Sequence, residues 1–275
     1  MLKFVKRQLR QRYPDLVVAY HTYRQSRAMY RHRLQVTPYG FRFMGHLAMQ
    51  DGSFEHEEAE LIQRYLEHIS VFVDVGANIG FFACLARHLG KHVVAVEPLT
   101  QNLEFLYANL NANGWTDIEV FPVGLGDHAG LGMLYGGGTG ASLVSQWAGA
   151  SDVWRRTIPI STLDILLGER FSGHKMMIKV DAEGAEYPVL QGAAKTLDRS
   201  PSPIWLVEVC LTEHHPAGIN PHFQDVFRTF WARGYEARAV DERNKMVRPE
   251  DVERWVRKRR RDFGFINYIF ERTIR

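Results

Sequence analysis

Cysteine is scarce in this chain: Cys84 and Cys210 are the two present, and neither has neighbours at metal or disulfide spacing. A disulfide scaffold and a cysteine zinc site are thereby excluded, and both thiols read as small buried hydrophobes in a reduced compartment. No apolar run reaches the length a bilayer demands, and the N-terminus lacks the short apolar core of a secretory leader, so the expected location is cytoplasmic. Internal repeats are absent. Net charge is small, +3 from 34 Lys+Arg and 31 Asp+Glu, but it is unevenly spread. Residues 1–34 carry nine Lys/Arg against the single acid Asp15, and Arg257–Arg261 is an unbroken basic run. Such ends suit a peripheral contact with an anionic surface, such as the inner face of a membrane, or simply form a solvated basic face. What remains is a chain of 275 residues with 45% apolar content, enough for one large α/β core and an appendage.

The most informative stretch is Val73–Gly80, where the apolar run Val71–Val75 collapses into a turn carrying Gly76 and Gly80, with Asp74 inside it. Glycines after a strand let the backbone turn sharply and approach a ligand closely. A loop that cradles phosphate keeps carboxylates away from its exposed N–H groups, so Asp74 argues against a dinucleotide. A ligand with ribose and adenine, no phosphate, and an ammonium to pair with a carboxylate fits better, and S-adenosylmethionine is that molecule. A second β-branched run, His92–Val96, ends in Glu97-Pro98. An acid at the end of the second strand of a doubly wound sheet accepts hydrogen bonds from ribose hydroxyls, which makes Glu97 the ribose ligand; as an alternative, it supports the start of the next helix.

The spacing predicts helices in residues 1–34, broken near Pro14, then a short strand or hairpin over 39–47 and a helix over 54–69. From there strands are expected at 71–75, 92–97, 118–123, 176–181, 203–210, 235–240 and 264–270. Helical patterns over 79–89, 100–112, 162–169, 185–197 and 221–233 separate them. Such alternation predicts a doubly wound, mainly parallel sheet. The boundaries follow as a basic helical appendage over 1–50 and a catalytic domain over 51–275. Residues 124–150, rich in glycine, are expected to form an irregular loop or small hairpin over the ligand crevice, with Ser142 helping to bind substrate.

A second constellation lies at the end of the fourth strand. Met176–Val180 is apolar except for Lys179 and runs into Asp181-Ala182-Glu183-Gly184-Ala185-Glu186. Ligands in an open α/β sheet lie beyond the carboxyl ends of the strands, so Asp181 and Glu183 should face the same crevice as Asp74 and Glu97. An acid within an apolar central strand is costly unless it is partnered or functional. Glu208 in the next strand and His214 after it bring further polar groups. Asp181 or Glu183 is then the candidate base, with Lys179 in support and Glu208 and His214 as second choices. A divalent cation on Asp181, Glu183 and Glu208 stays open as an alternative, and no tight ligand spacing favours it.

With these residues in hand the chain resembles the FkbM family of S-adenosylmethionine-dependent methyltransferases. The resemblance rests on Asp74-Val-Gly-Ala-Asn-Ile-Gly80, Glu97-Pro98, Gly126-Asp127, Thr162-Leu-Asp164, Ile178-Lys-Val-Asp-Ala-Glu-Gly184 with Glu186, Leu190-Gln-Gly192, and a closing strand near Asn267–Phe270. It covers about residues 50–272. It departs from the family at Ala182, where an aliphatic β-branched residue is commoner, and at Ala185, where a His or Trp is often found. The resemblance implies a seven-stranded Rossmann-like sheet in the order 3-2-1-4-5-7-6, and O-methylation of hydroxyls on sugars, glycolipids or other natural products. The cofactor set is then Asp74, Gly76, Asn78, Gly80, Glu97, Asn102, Gly126 and Asp127. A nucleic-acid methyltransferase is the alternative enzyme, suggested by the basic ends, but the fourth strand lacks the Asn- or Asp-Pro-Pro-aromatic signature that holds a flipped base. A non-catalytic adenosyl-binding scaffold would have no use for the acid cluster at that strand.

Overall fold

The computed structural model describes residues 33–150, 152–240 and 244–272. The basic helical appendage expected over 1–34 falls almost wholly outside the described residues.

The strands in chain order are β1 (Gln35–Val36), β2 (Arg42–Phe43), β3 (Val71–Val75), β4 (His92–Val96), β5 (Glu119–Phe121), β6 (Gly124–Leu125), β7 (Gly130–Tyr135), β8 (Arg155–Ser161), β9 (Met176–Val180), β10 (Ile204–Glu208), β11 (Glu236–Ala239), β12 (Met246–Val247) and β13 (Asn267–Glu271). The main sheet runs β5-β4-β3-β9-β10-β13-β11-β12. Its core β5-β4-β3-β9-β10 is parallel, and β13 lies antiparallel between β10 and β11. The sheet has eight strands among the described residues, one more than the expected seven, because the two-residue β12 pairs with the edge of β11. So short a strand carries no alternating pattern to read.

Strand alternation divides the core in two. Val71, Val73 and Val75 of β3 and Met176, Ile178 and Val180 of β9 face the helices Leu163–Leu167, Glu186–Gln191, Phe223–Trp231 and Pro249–Lys258. Phe72 and Met177 point the other way, into the helices His56–Leu66, Phe81–His88 and Thr100–Ala112. Phe41, Phe43 and Met49 belong to that second core, so the described part of residues 1–50 is built into it. The same alternation puts Asp74, Lys179 and Glu208 on the second face, at the carboxyl ends of their strands, with Asp74 opposite Lys179 in register.

The segment after β5 departs from expectation. It forms a three-stranded sheet, β6-β8-β7, with two short 3₁₀ turns at Gly138–Gly140 and Trp147–Gly149. The helix expected over 185–197 is split in two at Gly192, where an added Cβ would stand 2.0 Å from the Gly126 carbonyl oxygen. Cys84 and Cys210 are buried and free, as their isolation suggests. The basic run is not a uniform face: Arg257–Arg260 are exposed, whereas Arg261 is buried, ion-paired to Glu213 at 2.5 Å, and donates to the Phe265 carbonyl. No helix among the described residues is long and apolar enough to cross a membrane.

Candidate active site

A cavity of about 320 Å³ opens where β3, β4, β9 and β10 end. At its β3–β4 end the chain turns at Gly76, whose φ of +82° is left-handed and whose added Cβ would meet the Asp181 carbonyl oxygen at 1.9 Å. No side chain fits between these strand ends, which explains the glycine. The Gly76 and Ala77 N–H groups bond to Val96 O at 2.9 and 3.0 Å, locking the turn to β4.

Asp74 is 1% exposed, and among the described residues neither of its carboxylate oxygens has a hydrogen-bond partner of good geometry. Burial lifts its pKa to about 6, against the opposing pull of the Lys179 ammonium. The Asn78 side-chain oxygen, also buried, likewise has no partner among the described residues. Glu97 accepts from the Asn78 N–H at 2.9 Å and from the Leu99 N–H at 2.7 Å, and burial still pushes its pKa up to about 7. Asn102, from the helix Thr100–Ala112, lines the cavity and donates to Gly138 O at 3.2 Å. Buried polar atoms left without partners are rare in proteins and point to a ligand. A buried carboxylate that wants a cation, beside a second acid able to take hydroxyl donors, fits the ammonium and ribose of S-adenosylmethionine.

The β9–β10 end is made differently. Lys179 Nζ is 2.8 Å from Asp181 Oδ2 and lies over the Phe82 ring. Burial alone would lower its pKa, but Asp181, Glu55 and Asp74 together outweigh that and hold it raised. Glu183, at φ +50°, accepts from the Trp147 indole N–H at 2.6 Å, and its backbone carbonyl accepts from Ser142 Oγ at 2.5 Å. Burial first, then the Asp181 charge, push the Glu183 pKa to about 7. Burial and the Asp181 charge also raise that of Glu208. Glu186 accepts from the Gly184 N–H at 2.8 Å and is pushed up to about 8 by burial.

The structure thus brings Asp74, Gly76, Asn78, Glu97, Asn102, Lys179, Asp181, Glu183 and Glu208 around one cavity. Gly80 supports it from behind, as the left-handed residue capping the helix Phe81–His88. Four expected residues lie elsewhere. Gly126 and Asp127 follow β6 in the small sheet, and Asp127 is exposed and paired with His128 at 2.6 Å. The main-sheet strand ends at Phe121, so the turn at 126–127 is displaced from the cavity. Ser142 is committed to the Glu183 carbonyl and to the Val144 N–H, which makes it a structural clamp beside the cavity. His214 is exposed on the far side of Trp147, 6.0 Å between ring centroids, and faces a separate surface depression. Among the described residues no three His, Cys, Asp or Glu side chains gather as a metal-ligand set, so Asp181, Glu183 and Glu208 do not form one.

Two residues tied to the site carry no sequence signal, and of these Glu55 lines the cavity while Trp147 packs behind Glu183. Glu55, left-handed at φ +41° before the helix His56–Leu66, reaches the Lys179 cluster, and burial pushes its pKa to about 7. Trp147 sits in a stretch with no periodicity, and only its contact with Glu183 reveals it.

The chain matches the model of the methyltransferase FkbM domain over residues 74–237, more than half its length. No curated protein matches it. Among solved structures it is similar to the ribosomal protein L11 methylase of Lactobacillus delbrueckii subsp. bulgaricus, at 13% identity over 82% of this chain and 80% of that one, TM-score 0.43. It is similar to the O-methyltransferase of Bacillus cereus in complex with SAH, at 12% identity over 78% and 79%, TM-score 0.43. The precorrin-6y C5,15-methyltransferase of Geobacter metallireducens GS-15 matches at 12% identity over 78% and 87%, TM-score 0.41. Likenesses this distant decide nothing about the acceptor. The family match, over a segment that contains Asp74, Glu97, Asp181 and Glu183, decides the class: the chain belongs to the FkbM family of methyltransferases, whose methyl donor is S-adenosylmethionine.

Proposed function

We propose that the protein methylates a hydroxyl oxygen of a small molecule, in the class of sugars, glycolipids and related natural products. The observation that carries this reading is the placement of Glu183, with Asp181 beside it, on the cavity that also holds Asp74 and Glu97. Asp74 would hold the ammonium of S-adenosylmethionine, and Glu97 with Asn102 its ribose. When bound, it supplies an electrophilic methyl group on a sulfonium, and the carbon–sulfur bond breaks with its electron pair going to sulfur as the methyl passes to the acceptor oxygen.

The chain's own part is orientation and proton removal. Holding two reactants in near-attack geometry supplies on the order of 7–11 kcal/mol, and a placed base adds about 10²- to 10⁴-fold. Glu183 takes the hydroxyl proton. A base with its pKa near the working pH is the most effective, and about 7 is such a value. The Lys179–Asp181 pair fixes the floor beside it. Glu208, raised by burial, keeps its proton at neutral pH and donates a hydrogen bond to the acceptor.

Incubation with methyl-labelled S-adenosylmethionine and an extract of the cells that make the protein tests this, with mass spectrometry of the labelled product. Label on the oxygen of a hydroxylated sugar, lipid or natural product is expected. Label on nucleic acid or protein, or on nitrogen or carbon of a small molecule, would overturn it.

A further inference from the structure

The side chain of Glu183 is not held by its own strand or helix but by a loop some forty residues earlier in the chain. Trp147 is 1% exposed, and its indole N–H donates to Glu183 Oε2 at 2.6 Å. The same loop reaches the backbone of Glu183 through Ser142 Oγ. The next residue, Gly184, sits at φ +94°, and a Cβ there would stand 2.5 Å from the indole ring. The backbone around this contact is left-handed at Gln146, Ala148, Glu183 and His214, at φ values of 61°, 51°, 50° and 63°. Four non-glycine residues in that region around one ring represent stored strain, and such strain persists where the surroundings overdetermine a functional geometry. The rings of His214 and His215 close the outer side of the indole, at centroid distances of 6.0 and 6.1 Å.

A packing role alone would need the ring and not its N–H. An indole nitrogen in a hydrophobic wall is satisfied by any acceptor, but here it is spent on the one carboxylate that the transfer step uses. We propose that Trp147 is the positioning residue of methyl transfer: its N–H fixes the Glu183 carboxylate by Oε2 and leaves Oε1 as the oxygen that takes the acceptor's proton. The inference rests on Glu183 being the base.

The bond also sets when the base works. An N–H donated to a carboxylate favours its charged form, so it opposes burial and the Asp181 charge, which raise the Glu183 pKa. The other charged groups around Glu183 are Lys179 on β9, Glu186 at the start of the next helix, and Glu208 on β10; His214 and His215 stand across the indole. Trp147 is the neutral donor among them.

Carboxyl ¹³C NMR of the full chain labelled at glutamate measures the effect directly, the Glu183 resonance being the one lost in Glu183→Gln. In Trp147→Phe, which keeps a ring and removes the N–H, the Glu183 midpoint should rise by about one pH unit, since a hydrogen bond to a charged group is worth that much or more. A second readout needs no change at Trp147. One of the six tryptophan indole N–H resonances should titrate with the Glu183 midpoint in the wild-type chain and lose that titration in Glu183→Gln. An unmoved midpoint in Trp147→Phe, or six indole resonances indifferent to Glu183→Gln, would overturn the proposal. Label transfer from S-adenosylmethionine to the cell extract keeps the two readings apart. Turnover that survives Glu183→Gln removes the base assignment whatever Trp147 does. Turnover lost in Glu183→Gln but unchanged in Trp147→Phe across pH 5–9 leaves the base and removes Trp147.

Discussion

At the β3–β4 end of the cavity, Glu97 is held by backbone N–H groups of Asn78 and Leu99, and Asp74 is held by burial within its own strand. At the β9–β10 end, Asp181 depends on Lys179, and Glu183 depends on Trp147 and Ser142 from a distant loop. The first end leaves the Asp74 carboxylate and the Asn78 side-chain oxygen without partners among the described residues, which suits a ligand that brings its own donors. The second ties one oxygen of Asp181 and one of Glu183 to partners inside the protein, Lys179 and Trp147, which fixes direction and proton affinity. Cofactor capture needs a shaped acceptor, whereas proton transfer needs an oriented base.

Removing the proposed base is the strongest way to separate the two ends. Glu183→Gln should lower turnover by about 10²- to 10⁴-fold, measured as label transferred at saturating S-adenosylmethionine, while the thermal midpoint changes little. A loss matched by a loss of fold would merge the two ends into one structural unit. Gly76→Ala attacks the point where the ends touch. Its Cβ would run into the Asp181 carbonyl oxygen in a left-handed backbone, and the expected loss is roughly 2–3 kcal/mol in denaturant unfolding. Near-wild-type stability would mean that β3 and β9 can separate there.

A third comparison concerns pH. Asp74, Glu97 and Glu186 have folded pKa values raised by burial to about 6, 7 and 8. In the window between their unfolded values and these, the folded state holds protons that the unfolded state has released. Their contribution to stability is therefore full below the unfolded values and is lost as pH rises through about 6 to 8. The thermal midpoint of the ligand-free protein should fall from pH 5 to pH 8. Asp74→Asn should flatten part of that slope. A midpoint that rises over this range would show that the acids are already charged in the folded state.

Much of the first end was legible in the sequence. A run of apolar residues, a glycine that only a close strand contact requires, and an acid ending the next strand are local features, and the parallel core around them follows from period and alternation. Lys179 was legible as a charge in a buried strand. What stayed hidden is long-range. Trp147 meets Glu183 beside the small sheet β6-β8-β7, which the sequence marks only as an irregular loop or small hairpin over 124–150 and not at all over β8, and Glu55 comes from before the first strand of the core. Gly126 and Asp127 lie just past the cavity-lining Gly124 and Leu125, because β5 stops at Phe121 and the chain enters the second sheet before reaching them.

Calorimetry of S-adenosylmethionine binding to four variants tests the division most directly. Asp74→Asn and Glu97→Gln should each weaken binding about tenfold or more, because each removes a charged acceptor from the cofactor end. Asp181→Asn and Glu183→Gln should bind within about threefold of wild type, a difference well under 1 kcal/mol. Equal losses in all four variants, or a larger loss at Asp181 and Glu183 than at Asp74 and Glu97, would contradict it.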